Sequence, residues 1–231
     1  MVTSIILLHG AIGASDQLIP LGNELKENNF DVFYLNFSGH GRQNFEIDFG
    51  VKQFVDELSS FISKNKLQQP HVFGYSMGGY VALYLASEKP EMIGTIFTLG
   101  TKFEWSPEIA VKEIKMLDKK TILEKVPKFA EALQKRHGDK WEILLRKTSN
   151  MMMALGNNNL LNAERFSKIK NKVFVGWAEQ DTMVSLTETK NVHHQIKNCE
   201  LYSVTNTKHP IETVNSVTLA LRIRKFLLNE M

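Results

Sequence analysis

The chain has 231 residues, a formal net charge of +3 and a hydrophobic fraction of 43%, with 23% charged residues. These values are ordinary for a globular protein and allow one α/β domain with an insertion. No stretch approaches the roughly 18 apolar residues of a membrane helix, so we expect no stable membrane association. The single cysteine, Cys199, excludes an internal disulfide and favours a reducing, cytoplasmic location.

The first eight residues are apolar but carry no basic segment, so they predict a core strand and not a signal peptide. Strands and helices then alternate, which indicates parallel strand pairing with right-handed crossovers. The predicted strands of this part lie at 3–9, 31–36, 71–75 and 93–99, and the predicted helices at 16–28, 51–64 and 77–88.

The pattern changes after residue 101. No strand periodicity appears before the next predicted strand, and amphipathic helical periods lie at 107–117, 121–134 and 140–155. Alternation resumes with strands at 172–177 and 199–204 and helices at 185–196 and 213–228. The sequence therefore predicts an α/β fold with a mostly parallel sheet of about six strands and helices on both faces. Residues 1–101 and 168–231 would form the core, and residues 102–167 a helical cap inserted before the fifth strand.

Residues 74–78 read Gly-Tyr-Ser-Met-Gly and lie between a short apolar strand and a helix-forming run. This G-x-S-x-G pattern is typical of a nucleophile elbow, a strained turn that holds a serine between strand and helix. A side chain at position 74 or 78 would clash with the neighbouring strand or helix, which explains the glycines. The helix directs its N-terminal amides and its positive dipole end at the serine. Ser76 is therefore the predicted nucleophile.

A serine hydroxyl is a poor nucleophile at neutral pH, so it needs an imidazole base that a carboxylate orients. In this architecture the chain order is serine, acid, histidine. Asp181 follows the predicted fifth strand, and His209 lies between the last strand and the last helix. Glu179 is a nearby rival, but Asp181 comes after the strand has ended and precedes the apolar Val184. We interpret the other six histidines as solvated or structural: His9, His40, His71, His137, His193 and His194.

The first predicted strand runs directly into His9, Gly10 and Ala11. In acyl transfer, preorganised donors must meet the oxyanion, and these are commonly two backbone N–H groups. We predict that Met77, immediately after the nucleophile, supplies one amide of this oxyanion hole. Ala11, in the loop after the first strand, is the predicted second donor.

Apolar side chains near both ends of the predicted cap suggest a substrate pocket. Phe103 and Trp105 follow the end of a strand, the edge where open α/β sheets bind ligands. Met151 and Met152 lie in a run of three methionines, whose flexible side chains suit a variable apolar ligand; packing inside the cap is the simpler interpretation of that run.

Residues 102–172 hold 16 Lys or Arg against 9 Asp or Glu, a balance of +7. A basic cap could steer an anionic substrate, although a solvated face of mixed charge accounts for the same composition.

The chain resembles the α/β-hydrolase superfamily. The matching residues lie at 9–10, 38–42, 74–79, 176–181 and 208–210, so the resemblance covers nearly the whole chain. Within the superfamily it is similar to the small lidded esterases and to related hydrolases of thioesters, carbon–carbon bonds or menaquinone-pathway intermediates. The hairpin that usually precedes the first strand is absent here, which implies a trimmed sheet of about six strands.

These features favour a serine hydrolase that cleaves carboxylic esters with a small or medium apolar acyl group. Thioester or carbon–carbon bond hydrolysis and cofactor-free haloperoxidase chemistry use the same triad and stay open, as does a non-catalytic binding role. A dehalogenase or epoxide hydrolase would carry aspartate in place of Ser76. The expected partner is a small molecule with an acyl group. We expect no cofactor, no metal and no nucleic acid, and the sequence does not predict an oligomeric state.

Overall fold

The computed structural model describes residues 3–228. Six parallel strands form one sheet in the order β2-β1-β3-β4-β5-β6. This confirms the predicted α/β fold, with every strand pair parallel. The strands are β1 Thr3–Leu8, β2 Phe30–Leu35, β3 His71–Tyr75, β4 Ile96–Leu99, β5 Val173–Ala178 and β6 Cys199–Val204.

Helices connect the strands and cover both faces of the sheet. The helices are α1 Ile19–Glu27, α2 Val51–Lys64, α3 Met77–Glu88, α4 Pro107–Ile114, α5 Lys119–Lys125, α6 Pro127–His137, α7 Trp141–Asn157, α8 Ala163–Lys168, α9 Leu186–Gln195 and α10 Ser216–Leu228. Residues 100–172, which connect β4 to β5 and contain α4 to α8, are called the insertion below.

The buried side chains of each strand alternate between two cores, because successive residues of a strand point to opposite faces. In β1, Ile6 and Leu8 pack with α2, α3 and α9, whereas Ile5 and Leu7 pack with α1 and α10. The Phe174 ring of β5 lies on the α10 side and stacks on Phe226 with centroids 4.2 Å apart. A parallel sheet buried on both faces explains why these strands are almost continuously apolar.

Most of the other predicted elements begin or end a few residues from the observed bounds, and three differences have a local cause. The period at 121–134 is two helices, because Pro127 has no amide hydrogen to continue α5 and instead begins α6. The six-residue helix α8 was not predicted; the Asn162 side chain caps it by accepting a hydrogen bond from the Arg165 amide. The last helix begins at Ser216, after a short 3₁₀ turn over Ile211–Thr213.

The carboxyl ends of parallel strands meet at one edge of a sheet, and ligands bind there in open α/β folds. The loops after β1, β3, β4, β5 and β6 all leave from that edge. Within residues 3–228, no helix is long and apolar enough to cross a membrane.

Candidate active site

Ser76 lies on a sharp turn between β3 and α3, at the position that caps the N-terminus of the helix. Its φ of 50° and ψ of −116° are outside the ordinary regions for an L-residue, so the turn is strained. Three hydrogen bonds hold this conformation: the Ser76 amide donates to Leu99 O (2.9 Å), and Ser76 O accepts from Thr101 Oγ1 (3.0 Å) and from the Gly79 amide (3.0 Å).

Glycine is required on both sides of this serine by close backbone approach. A Cβ on Gly78 would lie 2.5 Å from the Leu8 carbonyl oxygen of β1, and a Cβ on Gly74 would overlap the Gly79 backbone of α3. One glycine therefore allows contact with the neighbouring strand and the other allows contact with the following helix. A side chain at position 74 or 78 would therefore clash, as the G-x-S-x-G pattern predicted.

The structure brings Asp181 and His209 into direct contact, with Nδ1 of the imidazole 2.7 Å from Oδ2 of the carboxylate. Oδ1 of Asp181 accepts hydrogen bonds from the backbone amides of Met183 (2.8 Å) and Val184 (2.9 Å). The Asp181 side chain is 0% exposed. A carboxylate held at both oxygens in this way keeps the proton of a neutral His209 on Nδ1 and leaves Nε2 free to accept a proton.

His209 and Ser76 line the same cavity. Within residues 3–228 the Ser76 hydroxyl has no hydrogen-bond partner, and such bonds often tighten only when substrate binds. Tyr75, beside the serine, donates its hydroxyl hydrogen to the His209 carbonyl oxygen at 2.9 Å. This bond ties the loop that carries His209 to the turn at Ser76. The rival carboxylate, Glu179, is exposed and lies 3.4 Å from the Asn206 amide, outside the His209 contact.

The loop after β1 passes close to Ser76. It turns over Gly10–Gly13, with the Gly13 amide donating to the Gly10 carbonyl (3.1 Å) and Ile12 at a φ of 52°. His9, at the start of the loop, accepts a hydrogen bond at Nε2 from the Phe37 amide (3.2 Å) and donates Nδ1–H to Gly10 O (2.8 Å). Burial lowers the His9 pKa to about 4, so this ring is neutral and serves as a fixed support for the loop.

The cavity beside Ser76 has a volume of about 50 Å³ and lies between the sheet edge and the insertion. This is space for roughly three to five water-sized groups. Ala11, Met77, Trp105, Met151 and Met152 lie in its wall. Further lining residues are Val51, Tyr80, Leu155, Met183 and Val184.

The expectation that Phe103 lines this cavity is not met. Phe103 is 3% exposed and packs edge-on against Phe166 of α8, with ring centroids 6.0 Å apart. Its amide donates to Glu188 Oε1 (2.9 Å) and its carbonyl accepts from the Asn159 side chain (2.8 Å). With its backbone fixed from both sides, Phe103 belongs to the core beneath the insertion.

Two polar residues, Lys102 and Glu113, also line the cavity, and sequence reasoning did not single them out. Lys102 Nζ lies 3.6 Å from Glu113 and 3.9 Å from Glu188, and it donates to the Met183 carbonyl (2.9 Å). Two largely buried carboxylates therefore surround this ammonium group, and it is already paired. Lys102 follows the end of β4 by three residues, and this position was the one feature of the sequence that pointed to the cavity.

Three histidines meet beside the loop after β1. His40 lies 4.8 Å from His9 and 6.1 Å from His137, measured between ring centroids, and all three are almost fully buried. Burial lowers the pKa of each. In the part of the chain described, no group of three His, Cys, Asp or Glu side chains could hold a metal ion.

A family model for the alpha/beta hydrolase fold matches residues 3–131, more than half of the chain. The chain belongs to this family. Two solved structures share its fold: the 2-hydroxy-6-oxo-6-phenylhexa-2,4-dienoate hydrolase of Rhodococcus sp. strain RHA1 and MenH of S. aureus. The first has a TM-score of 0.79 at 19% identity and covers 98% of this chain and 90% of its own. The second has a TM-score of 0.78 at 20% identity and covers 99% and 94%.

Sequence similarity also extends to yeast acyltransferases. Ethanol acetyltransferase 1 of Hanseniaspora uvarum is 24% identical over 109 residues, 46% of this chain and 32% of that protein. A protein described as a probable alcohol acetyltransferase from Saccharomyces cerevisiae is 30% identical over 92 residues, 38% of this chain and 27% of its own. The matched segments thus span about a third or less of these relatives.

Proposed function

We propose that this chain is a serine hydrolase that cleaves carboxylic esters of short, uncharged acyl groups. The observation that carries the proposal is the His209–Asp181 hydrogen bond of 2.7 Å beside a cavity that Ser76 also lines. In this proposal Ser76 is the nucleophile, His209 the general base and acid, and Asp181 the group that orients the imidazole.

The proposed reaction begins when Ser76 Oγ attacks the ester carbonyl carbon while His209 Nε2 takes the hydroxyl proton. The amides of Ala11 and Met77 then donate to the oxyanion; Met77 begins α3, where helix amides lack intrahelical acceptors. Collapse expels the alcohol, which takes the proton from Nε2 and leaves an acyl group on Ser76. Water, deprotonated by His209, then attacks the acyl carbon, and collapse releases the acid while Nε2 returns the proton to Ser76 Oγ.

The preference for a short acyl group comes from the size and chemistry of the cavity. Its volume of about 50 Å³ has room for about two to four carbons, at roughly 10–15 Å³ for each water-sized group, and most of its wall is apolar. We propose that the insertion acts as the cap that closes this cavity, with residues 102–167 as the unit inserted into the core.

The cytoplasmic location that the single cysteine favours stays a prediction. Burial raises the pKa of the Cys199 thiol to about 12, so this thiol is protonated at neutral pH.

A second candidate function is acyl transfer to an alcohol, and the similarity to alcohol acetyltransferases favours it. The same acyl-enzyme would form, and an alcohol would replace water in the second half of the reaction. Hydrolysis and transfer then differ only in which hydroxyl compound reaches the acyl carbon. Thioester and carbon–carbon bond cleavage and haloperoxidase chemistry also start from this triad.

The test uses p-nitrophenyl esters from acetate to octanoate, with Ser76→Ala as the inactive control. We expect turnover of the acetate and butyrate esters, a fall of at least about 10-fold for octanoate, and labelling of Ser76 by a fluorophosphonate probe. Added ethanol should give ethyl ester if transfer operates and only free acid if hydrolysis does. Labelling that survives Ser76→Ala would contradict the assignment of the nucleophile.

A further inference from the structure

We propose that His137, at the end of α6 in the insertion, is a positioning residue that fixes the oxyanion loop around Ala11. The inference rests on the proposed function, in which the Ala11 amide receives the oxyanion. Three observations support it: the hydrogen bonds of the His137 imidazole, the strained backbone of Ile12 in the loop, and the packing of the Ile12 side chain against the insertion.

His137 joins two loops of the core, the loop after β1 and the loop after β2. Its Nδ1 accepts a hydrogen bond from the Gly41 amide at 3.1 Å, so the proton of the neutral ring must be on Nε2. Nε2–H then donates to the Ile12 carbonyl at 2.8 Å. The side chain is 3% exposed, so water cannot easily replace either partner. One imidazole from the insertion thus holds the residue that follows Ala11.

Ile12 needs such support because its backbone is in an unfavourable conformation. It occupies the third position of the Gly10–Gly13 turn at a φ of 52°, where a turn of this kind normally has Gly or Asn. A β-branched residue with positive φ is a steric outlier, and it persists only where surrounding contacts determine it. Left unsupported, the turn would relax and move the Ala11 amide.

The Ile12 side chain provides the second contact with the insertion. It packs against a hydrophobic cluster that belongs entirely to the insertion: Leu117, Ile122, Ala130, Leu133, Trp141 and Leu145. The loop is therefore held through its carbonyl by His137 and through its side chain by this cluster.

The end of α6 is itself anchored to the core, so His137 has a fixed position. Arg136 Nε lies 3.0 Å from Asp16 Oδ1, and the Arg136 side chain is only 15% exposed. Arg42 donates to the Lys135 carbonyl oxygen at 3.2 Å. Displacement of the insertion would break these contacts and the Ile12 contact together, which couples its placement to the oxyanion loop.

This arrangement requires a neutral His137, because a protonated ring has two donors and cannot accept from the Gly41 amide. Burial lowers the His137 pKa, Arg136 lowers it further, and the Ile12 carbonyl and Asp16 raise it. The other titratable groups facing it are His9 and His40, both with pKa values lowered by burial; the Arg42 guanidinium lies beside Gly138.

The test compares His137→Leu, which removes both hydrogen bonds, with His137→Gln, which can still accept and donate. His194→Leu, on α9, is the matched control. We measure kcat and KM for p-nitrophenyl acetate, and the affinity of a short alkylboronic acid, in which Ser76 Oγ adds to boron and a boron hydroxyl occupies the oxyanion hole. His137→Leu should lower kcat by about 10- to 100-fold, the effect of a small displacement of a catalytic donor. KM should change less than about twofold, boronic acid affinity should fall with kcat, and glutamine should restore most of both.

Other results would overturn the inference. A folded His137→Leu protein with wild-type kcat and boronic acid affinity, or with only a raised KM, would mean that His137 merely holds the insertion. Equal losses in the Leu and Gln proteins would mean that the hydrogen bonds are not what matters. If His137→Leu does not fold, nitrogen NMR of the wild-type ring decides: a proton on Nδ1, or a pKa at or above 6.5, contradicts the inference. Absence of both ester turnover and boronic acid binding in the wild type would instead refute the proposed function on which it rests.

Discussion

Replacement of Asp181 by asparagine tests the proposed triad at its most defined contact. Oδ1 accepts from two backbone amides at 2.8 and 2.9 Å, whereas Oδ2 accepts from His209 and from no other residue between 3 and 228. An asparagine amide must point its oxygen at one side and its NH₂ at the other. Two fixed donors outweigh one, so the oxygen stays at the backbone amides and the NH₂ faces His209. The imidazole must then accept at Nδ1 and hold its proton on Nε2, where it cannot take the Ser76 proton.

We therefore expect Asp181→Asn to lower kcat by up to ~10⁴-fold, the loss typical of a wrong histidine tautomer. The side chains have the same shape and the two backbone hydrogen bonds survive, so the melting temperature should fall by no more than a few degrees. The assay is p-nitrophenyl acetate turnover beside thermal unfolding, with Glu179→Gln as the matched control. A mild effect of Asp181→Asn combined with a severe effect of Glu179→Gln would refute the assignment, and a wild-type rate in both would refute the triad.

Three further predictions concern packing, pH and the cavity. Gly78→Ala should destabilise the fold by about 1–3 kcal/mol in urea unfolding, because its Cβ would press on the Leu8 carbonyl, whereas Gly50→Ala, with open space around the site, should not. Burial lowers the His9 pKa to about 4, so its contribution to stability is complete above pH 6.5 and is lost as pH falls from 6.5 towards 4. His9→Gln should therefore lose about 3 kcal/mol less stability over this range than the wild type, while the other buried histidines, His40 and His137, still titrate. Trp105→Ala should shift ester preference towards longer acyl chains by about 1–3 kcal/mol with Ser76 labelling retained; an unchanged chain-length profile would mean that the insertion does not select the substrate.

The core fold could be predicted from sequence because each element has a strong local signal. Strands β3 and β6 and helices α2 and α3 have the predicted bounds, since apolar runs and abrupt polar ends mark them. Predictions were weaker in the insertion, where short helices depend on packing with one another. The Pro127 break was visible in the sequence, whereas α8 has only six residues and no periodicity to reveal it.

In the candidate site, too, local sequence patterns identify some residues, whereas others are brought together only by tertiary packing. Ser76, Asp181 and His209 follow strands in the expected order, so local patterns alone place them at one edge of the sheet. The Lys102–Glu188 pair had no such signal, because the two residues are 86 positions apart and meet only through the packing of α9. His137 was classed as solvated or structural for a similar reason. Its partners belong to loops about 100 residues earlier in the chain, and a charged helical neighbourhood concealed its burial.

The position of charge in the insertion bears on the substrate class. The balance of +7 over residues 102–172 is a composition that can steer an anionic substrate towards the site. Lysines in exposed pairs, such as Lys119 with Glu142 and Lys168 with Glu164, lie on the outer helices, where salt screens their field. Lys102, in the cavity wall, is surrounded by two carboxylates, so the three groups together carry one net negative charge when all are ionised. A carboxylate or phosphate on the acyl group would meet repulsion there, because none of the described residues that line the cavity offers it an unpaired lysine or arginine. We therefore expect the acyl group that reaches Ser76 to be uncharged.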